Sequence, residues 1–221
     1  MGDLSNAKTL GGIGALLSLV GGAIPYAGPI VSILGLVMVF IAVKSISETT
    51  NKEDIFNNYL YHFLLSIISI IALFMIMLIG FGAIGGFTWI QTLQDIEITN
   101  FESFWNYFGE FMIYLLIALF VAWILTVIGS VYLRRSYNQI AEETNINLFR
   151  TTGTLYFFGA ITLIVLIGFL LLLVARVLEI IAYFSLPDEL PGDKASGRRC
   201  PNCDRVIPED SMVCPYCGKN F

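Results

Sequence analysis

The sequence predicts an all-α helical bundle integral to a membrane, followed by a small cysteine-rich tail domain. Three observations support this. The 221-residue chain is 57% hydrophobic and only 13% charged, whereas soluble domains are about half apolar and about a quarter charged. Long segments carry no charge, and 35 uncharged residues separate Lys8 from Lys44. All four cysteines lie within the last 22 residues.

The first apolar stretch, 9–47, is longer than one membrane span requires. A helix that crosses a bilayer needs about 20 residues, and this stretch is interrupted by Pro25, Gly28 and Pro29, which favour turns. We therefore predict two helices, at about 9–24 and 28–47, joined by a tight turn. One long kinked helix is the alternative, because Pro and Gly are tolerated in membrane helices.

Two single spans are predicted next, at about 60–90 and 107–133. The connection between them, 91–106, is acidic and aromatic and contains no Lys or Arg. Tyr and Trp side chains near the ends of the spans are interpreted as interfacial anchors. They are Tyr59, Tyr61, Tyr132 and Tyr137 at the inner boundary, and Trp89, Trp105 and Tyr107 at the outer boundary.

The last apolar stretch, 151–186, is predicted to turn back near Gly168. A continuous helix of this length would measure about 54 Å, against a hydrocarbon core of about 30 Å. An internal repeat supports the turn. Gly28 to Ile46 matches Gly168 to Leu186 at a constant offset, and Gly14-Ala15 matches Gly159-Ala160 if the first turn is five residues longer. The two ends of the domain are therefore predicted to be copies of one hairpin.

The distribution of Lys and Arg favours six membrane segments, because cytoplasmic loops collect these cations. With six segments, every Lys and Arg except Arg176, which lies inside the last segment, falls on one side of the membrane. Four segments divide the cations almost evenly, and a five-segment form remains a competitor. We predict a multi-pass protein of the cell membrane with cytoplasmic N- and C-termini and an external 91–106 connection.

Two Cys-x-x-Cys turns, Cys200-Pro201-Asn202-Cys203 and Cys214-Pro215-Tyr216-Cys217, are separated by ten residues. Four thiolates at this spacing are typical of a tetrahedral zinc site. A tail of this size cannot bury a core of its own, so the metal would supply its folding energy. Because four cysteines fill the coordination shell, one structural Zn²⁺ is predicted. Two disulfides are the alternative, and they require an oxidising compartment.

These features divide the chain into a membrane domain at 1–187, a flexible linker at 188–199 and a zinc ribbon at 200–221. The linker contains Pro191, Gly192 and Gly197. The tail, with a Gly after its second knuckle, resembles the small zinc ribbons appended to many prokaryotic membrane proteins. That resemblance implies a docking or stabilising role.

The membrane domain also resembles a known family. Three stretches carry the resemblance: Gly11–Leu17, Ile55–Tyr61, and Arg134–Tyr137 through Leu148–Gly153. They are similar to a largely archaeal family of multi-pass membrane proteins of unknown function. The resemblance implies a membrane location and brings no activity, substrate or catalytic residue.

Charged residues inside an apolar segment often mark function. Arg176 and Glu179 lie three residues apart, a spacing at which they can pair with each other; a proton relay or a solute contact is the alternative. His62, the single histidine, is interpreted as an interfacial polar residue. Two acidic pairs are predicted to lie in solvated loops: Glu53-Asp54 and Glu142-Glu143.

Small residues recur every four positions in three segments, and such stripes predict close helix packing. They are Ala118, Ala122, Thr126 and Ser130; Gly14, Ser18 and Gly22; and Gly82 and Gly86. Packing within one chain is favoured over a dimer face, and a homo-oligomer stays open.

The sequence therefore predicts a non-enzymatic membrane protein that presents its zinc ribbon to a cytosolic protein partner as a scaffold. No phosphate-binding glycine loop and no nucleophile with a base partner are evident, and the net charge of -5 argues against nucleic acid. The alternative is a small-solute or ion transporter or channel that uses Arg176 and Glu179. A membrane enzyme acting on lipid is the third possibility.

Overall fold

Helices account for most of the chain. A computed structural model describes residues 4–22, 24–92, 101–190, 197–208 and 211–220. The helices are α1 (Ser5–Gly21), α2 (Gly28–Thr50), α3 (Glu53–Ala83), α4 (Phe87–Thr92), α5 (Phe101–Thr144), α6 (Asn147–Thr162) and α7 (Ile167–Phe184), with a 3₁₀ turn at Leu163–Val165. In the tail, β1 (Gly197–Arg199) pairs antiparallel with β2 (Val206–Pro208).

Within the described residues, five helical segments are long and apolar enough to cross a membrane. They are α2, α3, α5, α7, and α6 together with the 3₁₀ turn. Helix α1 has 17 residues and carries Lys8 in its first turns. The prediction of a helical chain with several membrane-length apolar segments is therefore confirmed.

The acidic pairs predicted to lie in loops are in helices, so that prediction is wrong. Glu53 and Asp54 form the first turn of α3, where negative charge is favourable beside the unpaired backbone N–H groups. Helix α5 does not end near residue 133 but continues to Thr144, and it therefore includes Glu142 and Glu143.

Ion pairs accompany this extension of α5. Glu142 lies 3.1 Å from Arg150, and Glu143 lies 3.7 Å from Lys52. The apolar pattern marks only the part of α5 that avoids water. The polar continuation of the same helix gives no hydropathy signal, which is why the predicted boundary falls about three turns early.

The predicted third span, 60–90, is divided between two helices. Helix α3 ends at Ala83 and α4 begins at Phe87. Between them, Gly85 and Gly86 have φ angles of 102° and 57°, a conformation that glycine adopts without steric cost. Asp95 and Glu97 of the predicted external connection lie outside the described residues.

The structure has a turn at both predicted hairpin positions. Tyr26 in the first turn and Leu166 in the second both have a φ angle of 63°, and these residues are 140 positions apart. From residue 24 to residue 44, each position is buried, half-buried or exposed in the same way as the position 140 residues later. The two end segments are therefore structural copies of each other.

The upstream part of the repeat aligns differently from the sequence prediction. A Cβ on Gly28 would collide with the carbonyl oxygen of Gly21, and a Cβ on Gly168 would collide with that of Gly159. Gly159 therefore takes the place of Gly21 rather than that of Gly14. Because Gly14 and Gly21 are seven residues, about two turns, apart, they lie on the same helix face, and a short sequence match does not distinguish them.

The chain forms two compact units, and the first comprises Met1–Asn57, Arg135–Thr152 and Ala175–Phe221. In this unit α1 and α2 approach at their backbones, because a Cβ on Gly14 would lie 2.7 Å from the carbonyl oxygen of Gly35. The Tyr183 ring of α7 packs directly on Gly11. Phe149 meets Tyr183 edge to face, with ring centroids 5.1 Å apart.

The second unit comprises Asn58–Arg134 and Gly153–Val174. In it, Ser69 of α3 donates to the carbonyl oxygen of Ala122 on α5 at 3.1 Å, so the small-residue stripe of α5 packs against α3 within the chain. Gly80 of α3 lies against the Tyr114 side chain. Gly82, predicted to belong to a packing stripe, has open space where a Cβ would be.

The contrast between Gly14 and Gly82 generates a prediction. Alanine favours helix over glycine by about 1 kcal/mol, so Gly82→Ala should leave the melting temperature unchanged or raise it. Gly14→Ala should lower it, because the new methyl group collides with α2 and overpacking costs about 1–3 kcal/mol. Thermal unfolding of the detergent-purified variants measures both. Equal melting temperatures for the two would contradict the α1–α2 packing.

Candidate functional site

The four cysteine sulfurs of the tail lie together. All four Sγ atoms are within 4.8 Å of one another. The Sγ atoms of Cys200 and Cys217 are 3.5 Å apart, and those of Cys203 and Cys214 are 3.7 Å apart. Four ligands at about 2.3 Å from one zinc ion would be separated by about 3.8 Å in a regular tetrahedron. The residues predicted as metal ligands are therefore close enough to hold one ion.

The two Cys-x-x-Cys turns have the same backbone structure. The N–H of Cys200 donates to the carbonyl of Arg205 at 2.9 Å, and that of Cys214 donates to the carbonyl of Lys219 at 2.8 Å. A second hydrogen bond returns to each first cysteine, from Asp204 at 2.8 Å and from Gly218 at 2.9 Å. Asp204 and Gly218 both have positive φ angles, 54° and 71°. Asp and Gly are among the residues that tolerate this conformation.

The apolar core of the tail is very small. Among the described residues it consists of Cys200, Ile207 and Cys214, with Cys203 packed against them. Such a core cannot supply the free energy to fold an isolated module, so a metal ion bound by the thiols would have to contribute it. The sequence thus forms the same knuckle twice, and together the two knuckles gather the four candidate ligands.

Hydrogen bonds affect two of the thiols, Cys217 and Cys203, in opposite directions. The backbone N–H of Lys219 and the side chain of Asn202 lower the pKa of Cys217 to about 6. At Cys203 the N–H of Arg205 favours the thiolate, but burial and hydrogen bonds with the other three sulfurs raise its pKa to about 12. In the folded tail the thiolate form is therefore more favourable at Cys217 than at Cys203.

A second cluster surrounds the charged pair of the last segment. Glu179 is only 2% exposed. Its Oε1 accepts a hydrogen bond of 2.6 Å from the Tyr137 hydroxyl, and its Oε2 accepts one of 3.1 Å from Nη1 of Arg176. The predicted pairing of Arg176 with Glu179 is present, and Tyr137 joins it from α5. Both carboxylate oxygens are satisfied, as a buried charge requires.

Sequence reasoning missed Tyr137, which was interpreted as an interfacial anchor but is 1% exposed. A usable signal exists in the sequence. Tyr137 is seven residues after Ser130, the last member of the small-residue stripe of α5, so the buried face continues beyond the stripe. Tyr59 is also buried, so the aromatic-belt interpretation is wrong for both tyrosines.

The internal repeat makes the charged cluster specific to the second hairpin. At the repeat offset of 140, Glu179 corresponds to Val39, and Arg176 corresponds to Leu36. Val39 and Glu179 are both buried, and Leu36 and Arg176 are both half-buried. The same structural positions therefore carry an apolar pair in one copy and an ion pair in the other.

His62 does not join either cluster. Its Nδ1 lies 3.1 Å from the carbonyl oxygen of Gly129, so the ring links α3 to α5 within the second unit. The structure thus places His62 in helix packing, in a half-buried position.

The described part of the chain thus combines five apolar helices of membrane length with a tail that gathers four cysteines. A family model described as "Protein of unknown function (DUF996)" matches residues 31–177. The chain is also 36% identical to the uncharacterized protein MJ1644 of Methanocaldococcus jannaschii over 191 residues, which are 86% of this chain and 97% of that protein. The chain belongs to the DUF996 family. No solved structure matches it.

The dependence of the tail on metal generates a prediction. The metal-stripped chain should react with iodoacetamide at all four cysteines, because without an ion the small apolar core does not hold the two knuckles together. Metal-loaded protein is the control and should be protected at all four positions. Peptide mass spectrometry, which reports each cysteine separately, measures both. Continued protection of Cys200 and Cys214 in the metal-stripped chain would contradict the dependence of the fold on metal.

The buried carboxylate of Glu179 generates another prediction. Glu179→Val, which copies Val39 of the first hairpin, should lower the melting temperature because it leaves the Tyr137 hydroxyl buried without its acceptor. Tyr137→Phe should restore part of that loss, with a coupling of about 1.5–3 kcal/mol for a hydrogen bond to a charged group. A double-mutant cycle by thermal unfolding measures the coupling. Strictly additive effects would argue against the contact.

Proposed function

We propose that the chain is a non-enzymatic multi-pass protein of the cell membrane, with six membrane segments, that presents a zinc ribbon at the cytosolic face as a docking module for a protein partner. The observation that carries the proposal is the duplicated knuckle, which gathers four thiols on a tail whose own core is too small to fold. Such a module is rigid only when metal is bound, and a rigid surface is what a docking site needs.

Zinc is the metal that the donor set favours. Four thiolates and no oxygen or nitrogen ligand suit zinc, whereas carboxylates and carbonyls suit magnesium or calcium. Because the four sulfurs would fill a tetrahedral shell, no position remains for a reacting water. The proposed role of the ion is therefore structural.

Contacts between the ends of the membrane domain support a common side for both termini. The N–H of Leu4 donates to the carbonyl of Asp188 at 3.0 Å, and Lys8 pairs with the Asp188 carboxylate at 3.2 Å. The start of α1 and the residues after α7 are thus adjacent. Since every Lys and Arg except Arg176 falls on this side in the six-segment arrangement, we assign it to the cytosol.

The ribbon has side chains suited to a protein interface. Met212 is 80% exposed and Tyr216 is 58% exposed. The guanidinium carbon of Arg205 lies 4.9 Å from the centroid of the Tyr216 ring. Tyr, Arg and Met are enriched in protein interfaces, and on this small module none of these three side chains has a role in the apolar core.

The test uses the full chain in membranes with a photo-crosslinker. Purified protein should contain one zinc per chain by elemental analysis. Tyr216→Ser should keep that zinc and lose its crosslinked cytosolic partner, because it removes an exposed anchor and leaves the ligands intact. Lys219→Ser is the matched control in the same module and should keep both zinc and partner.

Two results would refute the adaptor role. The first is crosslinking that persists when Cys200→Ser has removed the metal. The second is a chain without zinc that nevertheless has a folded tail.

The charged cluster favours one second candidate, a small-solute or ion transporter. Its support is that only the second hairpin has Arg176 and Glu179 at positions where the first has Leu36 and Val39. A transporter should sustain flux in liposomes after deletion of 188–221 and lose it in Glu179→Gln. Flux that persists in Glu179→Gln, or that is lost when 188–221 is deleted, would remove this candidate.

A further inference from the structure

A groove of about 740 Å³ lies beside the turn between α6 and α7. It is formed within the second unit by one face of α5 and by the turn itself. Every residue that lines it is apolar: Leu116, Ile117, Leu119, Phe120, Trp123, Leu163, Ile164 and Leu166. A groove of this composition has no side chain that would hold a polar ligand.

The turn at this groove exposes only apolar side chains. Residues 164–167 are Ile, Val, Leu and Ile, all of them exposed, and Leu166 is 81% exposed. The corresponding residues of the first hairpin include Pro25 and Tyr26. A turn between two helices that ended in water would be expected to carry Gly, Asn, Asp or Ser, and residues 163–167 include none of these.

The backbone of Leu166 points to the same surroundings. Its φ angle of 63° costs a residue with a Cβ about 1–2 kcal/mol, which Gly or Asn would largely avoid. In water, Leu at this position would combine that strain with an exposed apolar side chain. In hydrocarbon only the strain remains. The backbone N–H groups of Leu166 and Phe169 are bonded within the turn, at 3.0 and 3.1 Å, as a segment surrounded by lipid requires.

The position of the turn along α5 shows how far the hairpin extends. Trp123 of α5 donates to the carbonyl of Ala160 on α6 at 2.9 Å, and the groove reaches along α5 as far as Leu116. Helix α5 continues without a charged residue from Leu116 to Phe111, about 8 Å farther at 1.5 Å per residue, and Glu110 comes next. The hairpin therefore ends short of the apolar end of α5.

We propose that the α6–α7 turn ends inside the hydrocarbon layer and that the groove beside it binds a hydrocarbon tail of a membrane lipid. The inference rests on the proposed membrane location. A lipid tail is the fitting occupant because the apolar lining is itself open to the surroundings: Leu119 and Phe120 of α5 and Leu166 of the turn are all exposed. Lipid tails can therefore enter it from the side.

The first arm of the test measures bound lipid. The full chain is reconstituted with phosphatidylcholine or phosphatidylglycerol, extracted in mild detergent and analysed by native mass spectrometry. A retained lipid is expected with either head group, because only the tail is held. Leu119→Trp fills the groove and should lose the lipid. Ile71→Trp, at an exposed apolar position of α3 outside the groove, is the matched control and should keep it.

Three results of this arm would overturn the proposal. They are no retained lipid in the wild type, equal retention in Leu119→Trp and Ile71→Trp, or a dimer that Leu119→Trp dissociates. The last result would identify a second copy of the chain as the occupant.

The second arm measures depth with a membrane-impermeant maleimide, read by peptide mass spectrometry so that the native cysteines do not interfere. Leu166→Cys should stay unlabelled from both sides and react after detergent is added. Gln91→Cys should be labelled from outside and Glu48→Cys from the cytosol.

The two controls separate this inference from the proposed membrane location. External labelling of both Gln91→Cys and Leu166→Cys would overturn the embedded turn and leave the membrane location intact. Labelling of Gln91→Cys only from the cytosolic side would instead overturn the proposed orientation itself.

Discussion

The close approach of α1 and α2 determines how the rest of the first unit packs. Gly14, Gly21, Gly28 and Gly35 face the partner helix without a Cβ, so the two backbones come nearer than any larger residue would allow. With α1 held against α2, its other glycines, Gly11 and Gly12, meet the rings of Tyr183 and Phe184. Small residues on one helix thus determine where the largest residues of another can lie.

That packing also explains how a buried charge is tolerated. Tyr183 and Phe149 fill the space between α1, α6 and α7, and Tyr137 packs on Phe149 with ring centroids 5.6 Å apart. The ring contact fixes Tyr137 so that its hydroxyl reaches Glu179. A carboxylate that is 2% exposed needs such a preorganised donor, because an unpaired charge at this position would cost several kcal/mol. The aromatic packing and the ion pair therefore depend on each other.

Much of this architecture follows from the sequence, for identifiable reasons. The repeat at an offset of 140 is visible because burial selects similar residues at matching positions, such as Ala42 and Ala182. The knuckles are visible because metal ligation needs cysteines at fixed spacing. Each of these signals can be read from short stretches of sequence.

The features that the sequence did not predict depend on contacts between segments that are distant in the sequence. The position of Gly159 relative to α7 depends on turn length, and a shift of two helical turns leaves the buried face unchanged. Tyr137 has an aromatic side chain near a charged boundary, which is equally typical of an interfacial anchor; its true partner lies 42 residues away. The polar end of α5 has ion pairs with Lys52 and Arg150, and α3 begins with two acidic residues in its first turn; hydropathy detects neither feature.

The two hairpins show what duplication permits in a chain of this size. Packing needs are met by positions that both copies share, such as Gly28 and Gly168, whose close helix approach excludes a side chain. Other positions, one of them buried, have diverged. One copy has Val39 and an exposed Tyr26 where the other has Glu179 and an exposed Leu166. Because the first copy forms the same hairpin with Val39, the hairpin backbone itself does not require a buried carboxylate, and a functional difference between the two ends of the domain is to be sought at these positions.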